Sequence, residues 1–116
     1  MDDNDTRTVA ETYLRSWRSR DFAALRRILA DDVSFTGPLA TLHNADDCVQ
    51  GLESMAKILD DIVVKHVFVD GPDVLTWFDL HTTVAPPAPT ANWQHVEDGR
   101  ITAIRVTFDP RAITGG

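Results

Sequence analysis

The sequence predicts an α+β domain, with helices first and a long, strongly twisted antiparallel sheet after them. Two observations carry this. Apolar residues recur at helical spacing through the first half of the chain, then the period changes to strand-like alternation from Ile62 onward. The later segments are divided by turn signals (Asp70-Gly71-Pro72, the run Pro86-Pro87-Ala88-Pro89, and Asp98-Gly99) and not by further helices. Segregated helices and strands joined by tight turns argue against a doubly wound parallel sheet.

Each element has its own signal. A first helix is predicted from about Thr8 to Arg20, because Thr8-Val9-Ala10-Glu11 has the form of a capping box. Val9, Tyr13, Leu14 and Trp17 then share one face, and Arg15, Arg18 and Arg20 load the last turn with charge that suits the helix dipole. Asp21 can cap a shorter helix carrying Phe22, Leu25, Ile28 and Leu29. Val33 to Thr36 alternates as a strand that Gly37-Pro38 breaks. Leu39 to Gln50 reads as a loop with an extended piece near Cys48-Val49, followed by a helix from about Leu52 to Asp61. Four strands follow, over Ile62–Val69, Val74–Val84, Thr90–Glu97 and Ile101–Phe108; the prolines between the second and third cannot donate to a ladder. The acidic N-terminus and Thr114-Gly115-Gly116 read as frayed ends. A sheet of this length wrapped over helices forms a concavity, where small molecules bind.

Bulk properties narrow the function. The 116 residues fit one domain, its core over about residues 8–111, and 43% hydrophobic content supplies a core without staples. A formal net charge of -7 repels phosphate backbones and anionic lipids, so neither nucleic acid nor a membrane is an expected partner. Cys48 is the single cysteine, which excludes an internal disulfide. With an acidic start where a signal peptide would be basic, this places the chain in the cytoplasm. His43, His66 and His95 have no metal-type spacing, and there is no glycine-rich phosphate loop, so no metal and no cofactor is expected.

The candidate site residues sit on three elements. Asp79 and His81 lie two apart on a strand and share a face with Leu75 and Trp77. On an apolar face the carboxylate can fix the imidazole tautomer and leave the other nitrogen as a base. The alternative makes that face solvent and buries Val74, Thr76, Phe78 and Leu80. Tyr13 and Trp17 read as a core stripe or as the wall of a cavity with the phenol as donor. Asn92 and Gln94 share one face of their strand, and a buried amide needs a partner, which is a ligand, Asp79 or backbone.

The order of elements, the Leu29-Ala30-Asp31-Asp32-Val33-Ser34-Phe35 segment and the closing hairpin Glu97-Asp98-Gly99-Arg100-Ile101 resemble the nuclear transport factor 2-like superfamily, in its SnoaL-like branch. That resemblance covers about Val9 to Arg111. It implies a cystatin-like cone, in which a curved sheet wraps N-terminal helices around a pocket for a small apolar ligand, and a homodimer through the sheet. Relatives of this kind are polyketide cyclases, ketosteroid isomerases and limonene-epoxide hydrolases. Tyr13 matches the isomerase tyrosine and Asn92 stands nearest its second donor, but Gly37 occupies the place of the isomerase base. Trp77 and Val106 replace hydrolase residues, as do Phe35 and Gly37, while Asp79 matches one hydrolase aspartate. In cyclases one base suffices, for which Asp79, His81, His95 and Asp109 are candidates.

Two functions of different class follow. The first is a cofactor-free acid–base enzyme (a cyclase, isomerase or hydrolase) acting on an apolar, oxygenated substrate. Asp79 and His81 would be catalytic, and Tyr13, Trp17, Phe35, Trp77, Asn92 and Gln94 would line the ligand site. The second is a non-catalytic ligand-binding or dimerisation module of the same fold.

Overall fold

A computed structural model describes residues 3–114. The elements run α1 (Asp3–Ser19), α2 (Phe22–Arg27), β1 (Leu29–Thr36), β2 (Thr41–Leu42), α3 (Ala45–Ala56), β3 (Leu59–Asp70), β4 (Asp73–Thr82), β5 (Ala88–Glu97), β6 (Arg100–Thr107) and α4 (Arg111–Thr114). One open six-stranded sheet has the order β2-β1-β6-β5-β4-β3. β3 to β6 form the expected antiparallel meander. β1 enters parallel to β6, with Phe35 opposite Ile104, so the sheet is not antiparallel throughout.

α1 begins at Asp3 and not at Thr8, which puts Thr8 and Glu11 inside the helix. Asp3 and Asp5 in the first turn suit the positive end of the dipole. Asp3 also accepts from the Gly71 amide at 3.0 Å, and the Thr6 hydroxyl donates to the Gly71 carbonyl at 2.7 Å. These bonds extend the helix by tying its start to the β3–β4 turn. Of the expected frayed ends, Asp3 to Asp5 are helical and Thr114 closes α4, while Met1-Asp2 and Gly115-Gly116 lie outside the described residues.

α1 ends in a Schellman motif, with the Asp21 amide donating to the Ser16 carbonyl at 2.8 Å and the Arg20 amide to the Trp17 carbonyl at 3.1 Å. Arg20 takes the left-handed position, φ 62°, where glycine is usual. Its guanidinium gives the reason for an arginine, donating to the Ala56 carbonyl at 2.7 Å and the Leu59 carbonyl at 3.2 Å. Arg20 thus stands beyond its own helix and caps the end of α3.

The segment read as a loop, Leu39 to Gln50, holds β2 and the first half of α3. Asn44 caps that helix, its side-chain oxygen accepting from the Asp47 amide at 2.8 Å. Cys48-Val49 is therefore helical, and residues 59–61, expected to end a helix, open β3. Leu29, expected on α2, starts β1. The Asp98-Gly99 turn has both residues at positive φ, 53° and 77°, as a tight hairpin demands.

The core lies between the helices and the concave face of the sheet, built on Tyr13, Leu14, Trp17, Leu25, Leu29, Phe78, Leu80, Ile101 and Ile104. Each strand presents alternate residues to it. On β4 these are Val74, Thr76, Phe78, Leu80 and Thr82. Asp73, Leu75, Trp77, Asp79 and His81 take the convex face, because burying three ionisable groups would cost far more than exposing two apolar ones.

Candidate functional site: a cavity at the open end of the cone

A cavity of about 100 Å³ lies between α1, α3 and the concave face. Tyr13 and Trp17 come from α1, and Cys48, Gly51, Leu52 and Met55 from α3. The sheet gives Phe35, Phe78, Leu80, Thr90, Asn92 and Val106, while the turn 37–40, Leu42 and Phe108 complete the rim. That turn is closed by the Gly37 amide on the Ala40 carbonyl at 2.9 Å. Gly51 lets β2 approach α3: a Cβ there would stand 3.1 Å from Leu42 Cδ1.

Trp17 joins two walls. It is almost fully buried, and its indole N–H donates to the Leu52 carbonyl of α3 at 2.9 Å. Tyr13 stands one turn away, 1% exposed. Burial holds its phenol well above the usual tyrosine pKa; Cys48 adds to this, and a hydrogen bond from the Asn92 side chain pulls the other way. Burial pushes the Cys48 thiol up to about 12. Both groups are uncharged at neutral pH, so Tyr13 is a donor and not a base, and Cys48 is not a nucleophile.

The sequence candidates divide. Tyr13, Trp17, Phe35 and Asn92 line the cavity together. Gln94 is buried on the same face of β5 as Asn92, but outside the lining. Trp77, Asp79 and His81 lie on the convex face of β4, away from the cavity. Asp79 faces Lys65 at 3.7 Å, and no hydrogen bond joins it to His81 among the described residues. The Asp79–His81 base is thus not part of this site. The carboxylate–imidazole pair that does form is Asp73–His95, at 2.7 Å, also on the convex face. Asp109 is bound to Arg111 at the surface and is held at a pKa of about 2 by that guanidinium.

Cys48 was missed because α3 was placed seven residues too late, whereas Leu52 and Met55 stood on the expected helix without being assigned to a cavity. Asn44 followed by Asp47 is an N-terminal cap signal that would have found it. Phe78 and Leu80 belong to the alternative reading of β4, which buries them, and that is the face the structure turns inward. Among the described residues no group of three His, Cys, Asp or Glu side chains is arranged to hold a metal. No helix among them is long and apolar enough to cross a membrane.

Comparison with solved structures agrees with this architecture. A crystal structure from Kribbella flavida DSM 17836 superposes with a TM-score of 0.88 at 31% identity, over 93% of this chain and 89% of that one. An NTF2-like protein from Cytophaga hutchinsonii ATCC 33406 gives 0.84 at 25% identity, over 94% of each chain. An LEH-like epoxide hydrolase of M. tuberculosis gives 0.80 at 20% identity, over 97% of this chain and 88% of that one, a likeness of fold. No curated protein matches the sequence. Residues 10–104 match the SnoaL-like domain model, and with the helices, the curved open sheet and the cavity in place, the chain belongs to the SnoaL-like family of the nuclear transport factor 2-like superfamily.

Proposed function

We propose that the chain binds a small apolar molecule, about one ring in size, in the cavity beside Tyr13 and Trp17. The observation that carries this reading is the wall itself: it is apolar except for the Tyr13, Asn92, Thr90 and Cys48 side chains, and holds no carboxylate, imidazole or lysine. General acid–base catalysis needs a group that titrates near the working pH, within reach of the substrate. Neither Tyr13 nor Cys48 does so, and the binding module is favoured over the cyclase, isomerase or hydrolase. The size follows from volume, since a dry cavity of about 150 Å³ holds benzene. A cavity of about 100 Å³ takes one ring with part of it at the rim, too little for a fused polycycle.

Ligand-observed NMR and thermal melts with toluene and methylcyclohexane test the reading. A probe at roughly a hundred times its Kd is expected to add about 2.7 kcal/mol of stability. Val106→Phe, which places a ring in the cavity wall, is expected to remove the effect. No binding at millimolar probe would sink the proposal.

The same proposal pairs two copies through the convex face, in a reducing compartment such as the cytoplasm that suits an unpaired Cys48. Phe68 is 61% exposed and Trp77 39% exposed there, beside the half-buried Leu75 and Trp93. Such a patch marks an interaction surface. Light scattering is expected to give a dimer for the native chain and a monomer for Trp77→Glu; a native monomer refutes the pairing.

A further inference from the structure

We infer that the chain carries a second ligand site, a groove between α1 and the edge strand β3, which takes a monocarboxylate with a linear apolar tail. The groove holds about 390 Å³, within the range of small-molecule sites, and is more open to solvent than the cavity described above. The two share no lining residue.

The floor comes from β3. Val64 stands opposite Phe78 and Val67 opposite Thr76, and both partners are buried on the concave face. The two valines therefore point to the concave side as well. Val64 is nonetheless 47% exposed, because α1 leaves it uncovered. A β-bulge gives the reason. The pairing passes from Val64 opposite Phe78 to His66 opposite Trp77, so Lys65 has no residue across from it. A bulge bends its strand and raises the local twist. This one lies between the two valines, on a strand that is paired on one side only.

The other wall is α1, with Ala10 and Leu14 facing the floor. Glu11, Arg15 and Arg18 recur at i, i+4 and i+7, so they form one stripe along the rim. The helix runs antiparallel to β3, for Thr6 is bonded to Gly71 at one end and Arg18 to Asp61 at the other. Glu11 thus stands towards Val67, and Arg18 towards Ile62. Arg15 has no carboxylate partner among the described residues, and its guanidinium reaches only the Thr12 hydroxyl, at 3.5 Å. Arg18 is held to Asp61 at 3.4 Å with both side chains about half exposed, a weak pair that another anion can share. In a chain of net charge -7, an unpaired guanidinium over an apolar floor is a local reversal of sign. Its planar fork suits a carboxylate. The floor from Ile62 to Val67 covers roughly 15 Å at about 3.3 Å per residue, room for octanoate laid along it. Glu11 at the far end repels a second carboxylate, which selects a monoacid over a diacid.

Octanoate, octylammonium and suberate, titrated at millimolar concentration and followed by amide NMR, test the assignment. Octanoate is expected to move the amides of Leu14, Val64 and Val67 and to leave those of Phe35 and Val106 in place. Octylammonium has the same tail and is favoured by the net charge, yet is expected to bind roughly fivefold more weakly, the factor a partly exposed ion pair supplies. Suberate is expected not to bind. Arg15→Gln is expected to cost octanoate the same factor with no change in Tm, because the side chain is exposed and makes one weak bond. Arg27→Gln removes the same charge from α2, outside the groove, and is expected to leave octanoate binding as it was. Octylammonium binding as tightly as octanoate overturns the inference, as does an equal loss in Arg27→Gln, which would make the effect one of net charge. Shifts confined to Phe35 and Val106 overturn it too, since octanoate would then sit in the cavity. The absence of any shift has the same meaning. Should Arg15→Gln fail to fold, the octanoate-to-octylammonium ratio in the native chain decides.

Discussion

Trp17→Ala is expected to destabilise the protein by about 3–5 kcal/mol, the range for removing a buried large aromatic. Trp17 is 6% exposed and belongs to the main core cluster. Alanine leaves a void that α1 and α3 cannot both collapse into, since each is held elsewhere: α1 by the Schellman motif and the β3–β4 turn, α3 by Asn44 and Arg20. Trp17→Phe separates the two contributions. It keeps most of the ring and loses the bond to the Leu52 carbonyl, for about 1 kcal/mol. Urea denaturation measures both. A loss under 1 kcal/mol for the alanine variant would show that Trp17 does not join the two helices. Because Trp17 also lines the cavity, the alanine variant is expected to accept larger rings than the native chain does.

Raising the pH from 9 to 12 is expected to remove on the order of 4 kcal/mol through Cys48. Its folded pKa is about 12 against an ordinary 9.0. Each unit of difference is worth about 1.36 kcal/mol between the two protonation states. Here the folded value is the higher, so below pH 9 both states hold the proton and nothing changes. Between 9 and 12 the unfolded chain releases it first, and stability falls with pH across that window. Tyr13, also raised by burial, adds a fall of the same sign above its ordinary value of 10. Stability measured against pH in the Cys48→Ala and Tyr13→Phe variants assigns the slopes: each is expected to flatten its own part, whatever its offset. A native profile level to pH 11 would mean the thiol is hydrated in the folded state.

The fold was legible because its signals are local and redundant. β-branched runs and Gly, Pro and Asp turns gave the strands β3 to β6 to within about three residues, and Asp98-Gly99 gave the hairpin. α3 was lost because its N-terminal half, Ala45-Asp46-Asp47-Cys48, carries little apolar periodicity; its start is set by the Asn44 side chain and its packing by Ala45 and Cys48, both fully buried. The parallel entry of β1 beside β6 left no local trace, since pairing partners distant in sequence share no spacing. The cavity was half legible. Tyr13, Trp17, Phe35 and Asn92 came from helical or strand periodicity and the resemblance. The placing of Asp79 and His81 was not legible because both faces of β4 carry large apolar residues, and which face turns inward is decided by the neighbours of the whole strand.

The parallel pairing of β1 with β6 also fixes when the cavity can exist. The strands β3 to β6 each pair with the next in sequence, so they can zip as successive hairpins at small loss of chain entropy. β1 must wait for a partner about seventy positions away, as Phe35 is from Ile104. The lining draws on the same two stretches, Phe35 to Leu42 and Val106 to Phe108. During synthesis the second stretch leaves the ribosome after every other lining residue. The cavity therefore closes late in assembly, once the two strands most distant in sequence have met.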